Sequence, residues 1–292
     1  MTRHFLSITD LTAKEIWQVF ALAKKQNKLV LKGKSLALIF EKPSLRTRLS
    51  FEIAMTQLGG HAVYLGPSDI GLEKRESAKD VARVTSSMAD MIMARVFKHK
   101  TVEKLAEYAS VPVINGLSDL EHPCQALADL FTIWEIKAKI QGLKIAFVGD
   151  GENNVTHSLC LGAVMLGALF ACGSPKGYWM NKDIVKKAKK YGSVLETVDP
   201  KEAVKNADVV VTDTWVSMGD TDKEKRMEIF KPYQVNKKLM SLAKKEAIFM
   251  HCLPAHRGEE VTADVIDGPQ SVVFQEAENR LHIQKALLLW LI

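Results

Sequence analysis

Four short polar clusters, each placed after a run of apolar residues or at a helix start, carry the side chains from which chemistry could be built. The first is Glu41-Lys42-Pro43-Ser44-Leu45-Arg46-Thr47-Arg48, after the apolar run 36–40. Two hydroxyls and two guanidiniums there meet what reads as the start of a helix. Free N–H groups and the positive end of a helix dipole attract anions, and arginine grips phosphate through paired hydrogen bonds. Phosphate suits this cluster, although a serine N-cap flanked by surface arginines would use the same residues.

The second cluster, Glu121-His122-Pro123-Cys124-Gln125, places an imidazole and an amide within one turn. Histidine could donate to a carbonyl oxygen and polarise it, and glutamine could bond a neighbouring amide. A helix-start packing histidine is the plainer alternative. The third, Gly149-Asp150-Gly151-Glu152-Asn153-Asn154, invites comparison with a dinucleotide-binding turn, but the G-x-G-x-x-G spacing is absent. Polar side chains facing a small ligand fit it better, and an Asx-rich N-cap fits it equally well. The fourth joins Asp213-Thr214-Trp215-Val216-Ser217-Met218-Gly219 with His251-Cys252-Leu253-Pro254. Asp213 could bind an ammonium. Cys252 could be a nucleophile, a ligand-contacting thiol or a core residue, and a covalent role has the least support because no lysine or arginine adjoins it in sequence.

These clusters need elements to hold them. Apolar runs at 36–40, 62–65, 91–94, 111–114, 144–148, 209–212 and 247–250 read as buried parallel strands. Amphipathic segments lie between them. One is 48–58, closed by Gly59 and Gly60, with Phe51, Met55 and Leu58 on one face. This alternation is the α/β pattern. A long helix at 123–140 carries the chain into a second sheet, which puts a boundary at 140/141, and a last helix spans 277–292. In open parallel sheets ligands bind beyond the carboxyl ends of strands, which is where these clusters fall.

At 292 residues the chain exceeds the usual span of one hydrophobic core, so two domains are expected. Apolar residues at 47% and charged residues at 25% exclude a disordered chain. No apolar run is long enough to span a membrane and the N-terminal residues lack a secretory pattern, so the expectation is a cytoplasmic protein with no membrane partner. Cys124, Cys160, Cys172 and Cys252 have neither zinc-finger nor disulfide-framework spacing. The net charge of +6 reads as a solvated lysine-rich surface, as at Lys186, Lys187, Lys189 and Lys190. Only 7% of residues are aromatic and none interleaves with the basic runs, which argues against nucleic acid.

In their order and spacing the four clusters resemble the carbamoyltransferase superfamily, across essentially the whole chain. Ser44 to Arg48 resembles the family's carbamoyl-phosphate loop and His122 to Gln125 its His-Pro-x-Gln motif. Asp213 to Gly219 and His251 to Pro254 are similar to the Asp-x-Trp-x-Ser-Met-Gly and His-Cys-Leu-Pro segments of the ornithine branch, which aspartate enzymes lack. The resemblance implies two doubly wound parallel-sheet α/β domains, 1–140 for carbamoyl phosphate and 141–276 for ornithine, with the C-terminal helix 277–292 packing back on the first. It implies carbamoyl transfer from carbamoyl phosphate to the side-chain amine of ornithine, with no cofactor and no metal, in a homotrimer or a multiple of trimers. Other amines, such as putrescine or an N-acylated ornithine, are the nearest alternative acceptors.

By the same resemblance Ser44, Leu45, Arg46 and Thr47 hold the phosphate. Arg95 and His122 hold the carbamoyl and phosphate oxygens, Gln125 contacts the carbamoyl nitrogen, and Arg280 closes over the same oxygens. Asn154, Asp213, Ser217 and Met218 fall to the amino-acid end. Cys252 and the Leu253 carbonyl lie near the reacting amine and the carbamoyl group. Arg46, Arg95, His122 and Cys252 are the implied catalytic set. Two residues depart from the family pattern: Leu45 replaces a threonine, removing one hydroxyl contact and weakening phosphate binding, and Gly71 replaces a glutamine offered to a neighbouring subunit.

Overall fold

The computed structural model describes residues 2–25, 29–216 and 222–292. The chain forms two compact units, residues 1–128 with 278–292 and residues 129–277, and the divisions fall inside the helices Pro123–Lys137 and Val273–Leu291.

The first unit is built on β1 (Ser35–Phe40), β2 (His61–Leu65), β3 (Met91–Arg95) and β4 (Val113–Leu117). All pairings are parallel, in the order β2-β1-β3-β4. The chain therefore reverses its direction of winding between β1 and β3, a topological switch point that leaves a crevice at the carboxyl ends. Ile39, Val81, Ile92, Val102, Leu105 and Val113 form a core against helices Ala78–Met88 and His99–Tyr108. The C-terminal residues belong to this unit, as the resemblance implies: Ile283, Ala286, Leu287 and Leu288 are buried, and Lys285 donates to Gln57 at 3.0 Å.

Two elements here differ from expectation. The helix Leu45–Gln57 starts three residues before 48, because the Ser44 hydroxyl accepts the Thr47 N–H at 3.3 Å and caps it. β4 runs 113–117 rather than 111–114. Its Asn115-Gly116 pair looks like a turn but lies in the ladder, where the register slips so that Arg95 pairs with Leu117. A Cβ at Gly116 would run into the Met93 side chain and lie 3.3 Å from the Ala94 carbonyl oxygen, so β3 packs closely on this glycine.

The second unit holds β5 (Lys144–Val148), β6 (Leu169–Gly173), β7 (Val194–Thr197), β8 (Val209–Thr212) and β9 (Ile248–His251), all parallel in the order β7-β6-β5-β8-β9. Winding reverses between β5 and β8, giving a second switch point. The periodicity reading did not include β6 and β7. β6 follows closely on the apolar helix Asn154–Met165, so its apolar run does not stand apart from that helix, and β7 is a half-exposed edge strand of four. Val148, Val210, Val235, Phe249 and Val261 centre the core. The helix expected to reach Ile140 stops at Lys137, where Ala138 takes φ 56.

Gly151 has no room for a side chain, since a Cβ would lie 2.5 Å from the Tyr178 carbonyl oxygen and 3.0 Å from the Met180 nitrogen. These are backbone atoms, so relief requires moving two segments. Gly151→Ala should destabilise the protein by about 1–3 kcal/mol. A thermal midpoint equal to that of the parent would show that the turn can yield.

Candidate functional site

In the first unit, two strand ends (Lys42 after β1 and Arg95 on β3) and two helices (Arg46 on Leu45–Gln57 and Arg280 on Val273–Leu291) bring cations to the β1/β3 switch point. Thr47, wholly buried in the first helical turn, accepts at Oγ1 from Arg280 Nη2 at 3.0 Å and from Arg95 Nη1 at 3.4 Å. Arg280 Nη1 also donates to Gln125 Oε1 at 2.5 Å. With the Gln284 amide turned to suit its neighbours, its oxygen accepts from Arg280 Nε and Nη2 at 3.2 Å each. Neutral acceptors thus hold two buried guanidiniums in fixed directions. Arg46 is half-exposed one residue before Thr47, and Leu45 is 73% exposed, so its side chain points to solvent.

His122 reaches this place through a tied turn. Asn115 Nδ2, in the middle of β4, donates to the Leu6 carbonyl at 2.9 Å, to Ser118 Oγ at 3.3 Å and to the Glu121 carbonyl at 3.4 Å. The buried Glu121 carboxylate accepts the Ile8 N–H at 3.1 Å. His122 follows and is buried. Its pKa falls well below the ordinary histidine value, first because of burial and then because of the charges of Arg280, Arg95, Lys42 and Arg46. The imidazole is neutral at pH 7 and can donate one N–H without adding charge. Lys42, half-buried with Nζ 5.2 Å from the Phe97 ring, is lowered by burial and by Arg95. These cations disfavour one another's protonation, an arrangement that a bound anion relieves.

In the second unit the clusters follow β5, β8 and β9. Asn153 caps helix Asn154–Met165 by accepting the Val155 N–H at 2.7 Å, and its Nδ2 donates to Asp213 Oδ2 at 2.9 Å. Asp213 Oδ1 accepts the Thr214 N–H at 2.8 Å and the Cys252 thiol at 3.2 Å. Burial, followed by the carboxylates of Asp213, Glu276 and Asp129, pushes the Cys252 pKa well above the ordinary thiol value. Cys252 is therefore a protonated donor and not a resident thiolate. The turn after β9 is held at both ends. His251 Nδ1 accepts the Leu253 N–H at 2.9 Å, His251 Nε2 lies 3.2 Å from Glu260 Oε1, and the His251 N–H donates to Glu276 at 2.9 Å. Leu253 takes φ 56.

The buried Asp150 pairs with Arg226, whose Nε also donates to the Trp215 carbonyl at 2.7 Å. Burial outweighs this pairing and raises the Asp150 carboxyl to about 6. Asp213, His251 and Cys252 each place one donor atom within 4.8 Å of the others, a set that a soft divalent ion could use.

Of the residues singled out from sequence, Thr47, Arg95, Gln125 and Arg280 are hydrogen-bonded together. Arg46 acts electrostatically on His122 in the same unit, and Ser44 spends its hydroxyl on the helix cap. Asp213 and Cys252 meet in the second unit, where Asn153 also reaches Asp213. Asn154 is the half-exposed first residue of the helix. Ser217 and Met218 lie outside the described residues. Sequence reading missed Lys42, Asn153 and the His251–Glu260 pair; the adjacency of Lys42 to the first cluster and of Asn153 to Asn154 was the available signal.

Comparison with known proteins shows the family. Residues 3–135 match the family described as "Aspartate/ornithine carbamoyltransferase, carbamoyl-P binding domain", and residues 141–291 match its "Asp/Orn binding domain". The chain is 54% identical to the ornithine carbamoyltransferase of Pyrococcus horikoshii, over 98% of this chain and 94% of that one. Identity to the ornithine carbamoyltransferase of Anoxybacillus flavithermus is 51%, covering 99% and 96%. Among solved structures, ornithine carbamoyltransferase from Pyrococcus furiosus superposes with a TM-score of 0.94 at 53% identity over 98% and 96% of the two chains. The anabolic enzyme from Campylobacter jejuni gives 0.94 at 44% over 100% and 99%.

The elevated pKa of Cys252 has a chemical consequence. An unperturbed thiol, with a pKa of about 8.5, is roughly one-quarter thiolate at pH 8. Cys252 should be alkylated by iodoacetamide at least about tenfold more slowly in the folded chain than in the urea-unfolded chain. Asp213→Asn should recover part of that rate by removing a neighbouring negative charge. Peptide mass spectrometry reads the site directly, and equal rates in the parent and Asp213→Asn would separate the thiol from Asp213.

Proposed function

As the chain belongs to the aspartate/ornithine carbamoyltransferase family, we propose that it transfers the carbamoyl group of carbamoyl phosphate to the δ-amine of L-ornithine, giving L-citrulline and phosphate. The observation that carries this reading is the cation cluster of the first unit, with Arg95 and Arg280 hydrogen-bonded to Thr47 and a neutral His122 alongside. A dianionic phosphate ester satisfies such a cluster. The Asp213 carboxylate and the Cys252 thiol of the second unit suit an ammonium-bearing amino acid. Relatives titled anabolic support a place in arginine biosynthesis.

In the proposed reaction the N-terminal N–H groups of helix Leu45–Gln57, with Ser44, Arg46 and Thr47, take the phosphate. Leu45 supplies its backbone N–H but no hydroxyl. Gln125 takes the carbamoyl nitrogen; its Oε1 is the acceptor that Arg280 now bonds, so substrate binding redistributes that bond. The free amine attacks the carbamoyl carbon, and Arg46, Arg95 and His122 stabilise the oxyanion of the tetrahedral intermediate. Phosphate leaves as the C–O bond breaks, taking up the proton released by the attacking amine, with its charge held by the same cations. Each positioned oxyanion donor contributes about 3–4 kcal/mol to such a step. Asp213, with Asn154, Ser217 and Met218, takes the amino-acid end of ornithine. Cys252 and the Leu253 carbonyl lie beside the reacting amine.

The working assembly in this proposal is a cytoplasmic homotrimer. Two helices of the first unit support subunit association by exposing apolar pairs one turn apart. These are Leu45 and Leu49 at 73% and 52%, and Val84 and Met88 at 50% and 79%. All four cysteines are free thiols, consistent with a reducing compartment. Among the described residues no helix is long and apolar enough to cross a membrane. Gly71 bears on the family's contact between subunits. It closes helix Pro67–Ile70 at φ 59, and a Cβ there would meet Arg75 Cβ at 2.8 Å, so this turn excludes the family's glutamine as it stands. Light scattering should give a particle of three 32.5 kDa chains or a multiple of three; a monomer or dimer would remove the trimer from the proposal.

The activity is tested with ornithine, putrescine, N-acetylornithine and aspartate as competing acceptors. Ornithine should be used preferentially. Arg46→Ala and Asp213→Ala should abolish turnover, and His122→Asn should lower it on the order of a hundredfold. A primary amine with a pKa of about 10.4 has fewer than about one neutral molecule in a thousand at pH 7, so the rate at limiting total ornithine should rise between pH 7 and pH 9. Preference for another amine would overturn the acceptor assignment, and a flat profile would overturn free-amine attack.

A further inference from the structure

The turn beyond β9 gathers a third set of donors that neither cluster uses. We propose that His256, Glu259 and Glu260 form a binding site for one divalent transition-metal ion of the Zn²⁺ class. The three donor atoms lie within 4.8 Å of one another. Glu260 is fully buried, and its two carboxylate oxygens differ. Oε1 accepts the His256 N–H at 2.5 Å and lies 3.2 Å from His251 Nε2, whereas no hydrogen-bond donor reaches the buried Oε2. Oε2 faces His256 Nδ1 at 3.6 Å. Two ligands bound tetrahedrally to one zinc at about 2.1 Å are themselves about 3.4 Å apart, so little movement is needed. Burial pushes the Glu260 carboxyl up, but the bonds from His251 and the backbone outweigh it and hold the pKa below the usual value, leaving an anionic ligand.

The loop backbone is fixed before any ion arrives. Gln234 Nε2 donates to the Gly258 and Glu259 carbonyls at 2.8 Å each, the Gly258 N–H donates to Val261 at 2.8 Å, and Arg257 grips Asp267 through bonds of 2.7 and 2.9 Å. The three ligands therefore leave a short, braced turn. Imidazole with two carboxylates selects a borderline ion over the hard Mg²⁺ or Ca²⁺, and the half-exposed Glu259 and exposed His256 leave an approach from solvent. An ion on Oε2 would neutralise Glu260 and so act on His251, which caps the Leu253 N–H.

A protonated His256 would instead make an ordinary ion pair with Glu260, and Asp213, His251 and Cys252 are a rival set, so the test separates both. Zn²⁺ alone is titrated into full-length Cys252→Ser protein by calorimetry, with and without His256→Lys and Glu259→Gln. One ion per chain should bind in the Cys252→Ser background, and each added substitution should weaken it about 10–100-fold. His256→Lys retains a cation beside Glu260 but removes the ligand. Unchanged affinity in His256→Lys, or loss of all saturable binding in Cys252→Ser alone, overturns the site.

Discussion

At the carboxyl edge of the first sheet, guanidiniums are held close together by neutral acceptors. Thr47 Oγ1 receives both Arg95 and Arg280, and Gln125 receives Arg280 again. Such crowding is unfavourable without a counter-ion; burial first, and then the neighbouring cations, lower the proton affinity of His122 and Lys42. Much of the first unit serves to sustain this arrangement. The switch point between β1 and β3 supplies the crevice, the Ser44 cap points a helix N-terminus into it, and the Asn115–Ser118–Glu121 ties deliver His122. An enzyme that must stabilise a phosphate ester and a developing oxyanion needs this field built in advance, because donors already oriented cost no reorganisation during the reaction.

The second unit applies the same geometry with the opposite charge. Its switch point between β5 and β8 collects Asn153, Asp213 and Cys252. Burial, and then Asp213, Glu276 and Asp129, keep the thiol protonated, and burial with Asp129 pushes Glu276 well above the ordinary carboxyl value. A thiol that donates to Asp213 orients that carboxylate, and a protonated thiol is unhelpful for covalent catalysis. Fold repetition thus yields two specificities, one for anions and one for amines, without a cofactor in either assignment.

The departures from family pattern have different physical standing. Leu45 exposes its side chain at the first helical position, so the loop keeps its backbone donors and loses only a hydroxyl. Gly71 is dictated by backbone: a left-handed residue packed against Arg75 leaves no space for a longer side chain in this turn. The first alters a ligand contact; the second trades a side chain for a turn.

The sequence by itself determined the fold class, the strands at 144–148 and 209–212, the four clusters and the family, because apolar periodicity and short motifs are local properties of the chain. Strand ends drifted where a local cue was misleading, as at Asn115-Gly116, which looks like a turn but pairs with β3. Strands β6 and β7 were missed because one follows closely on an apolar helix and the other is a half-exposed edge. Only tertiary structure decided which side chains meet. It set Arg280 on Thr47 across more than two hundred residues, joined Asn153 to Asp213, and isolated Glu260 Oε2 beside His256. Protonation states were also beyond the sequence, since burial and neighbouring charge fix them and both depend on the folded surroundings.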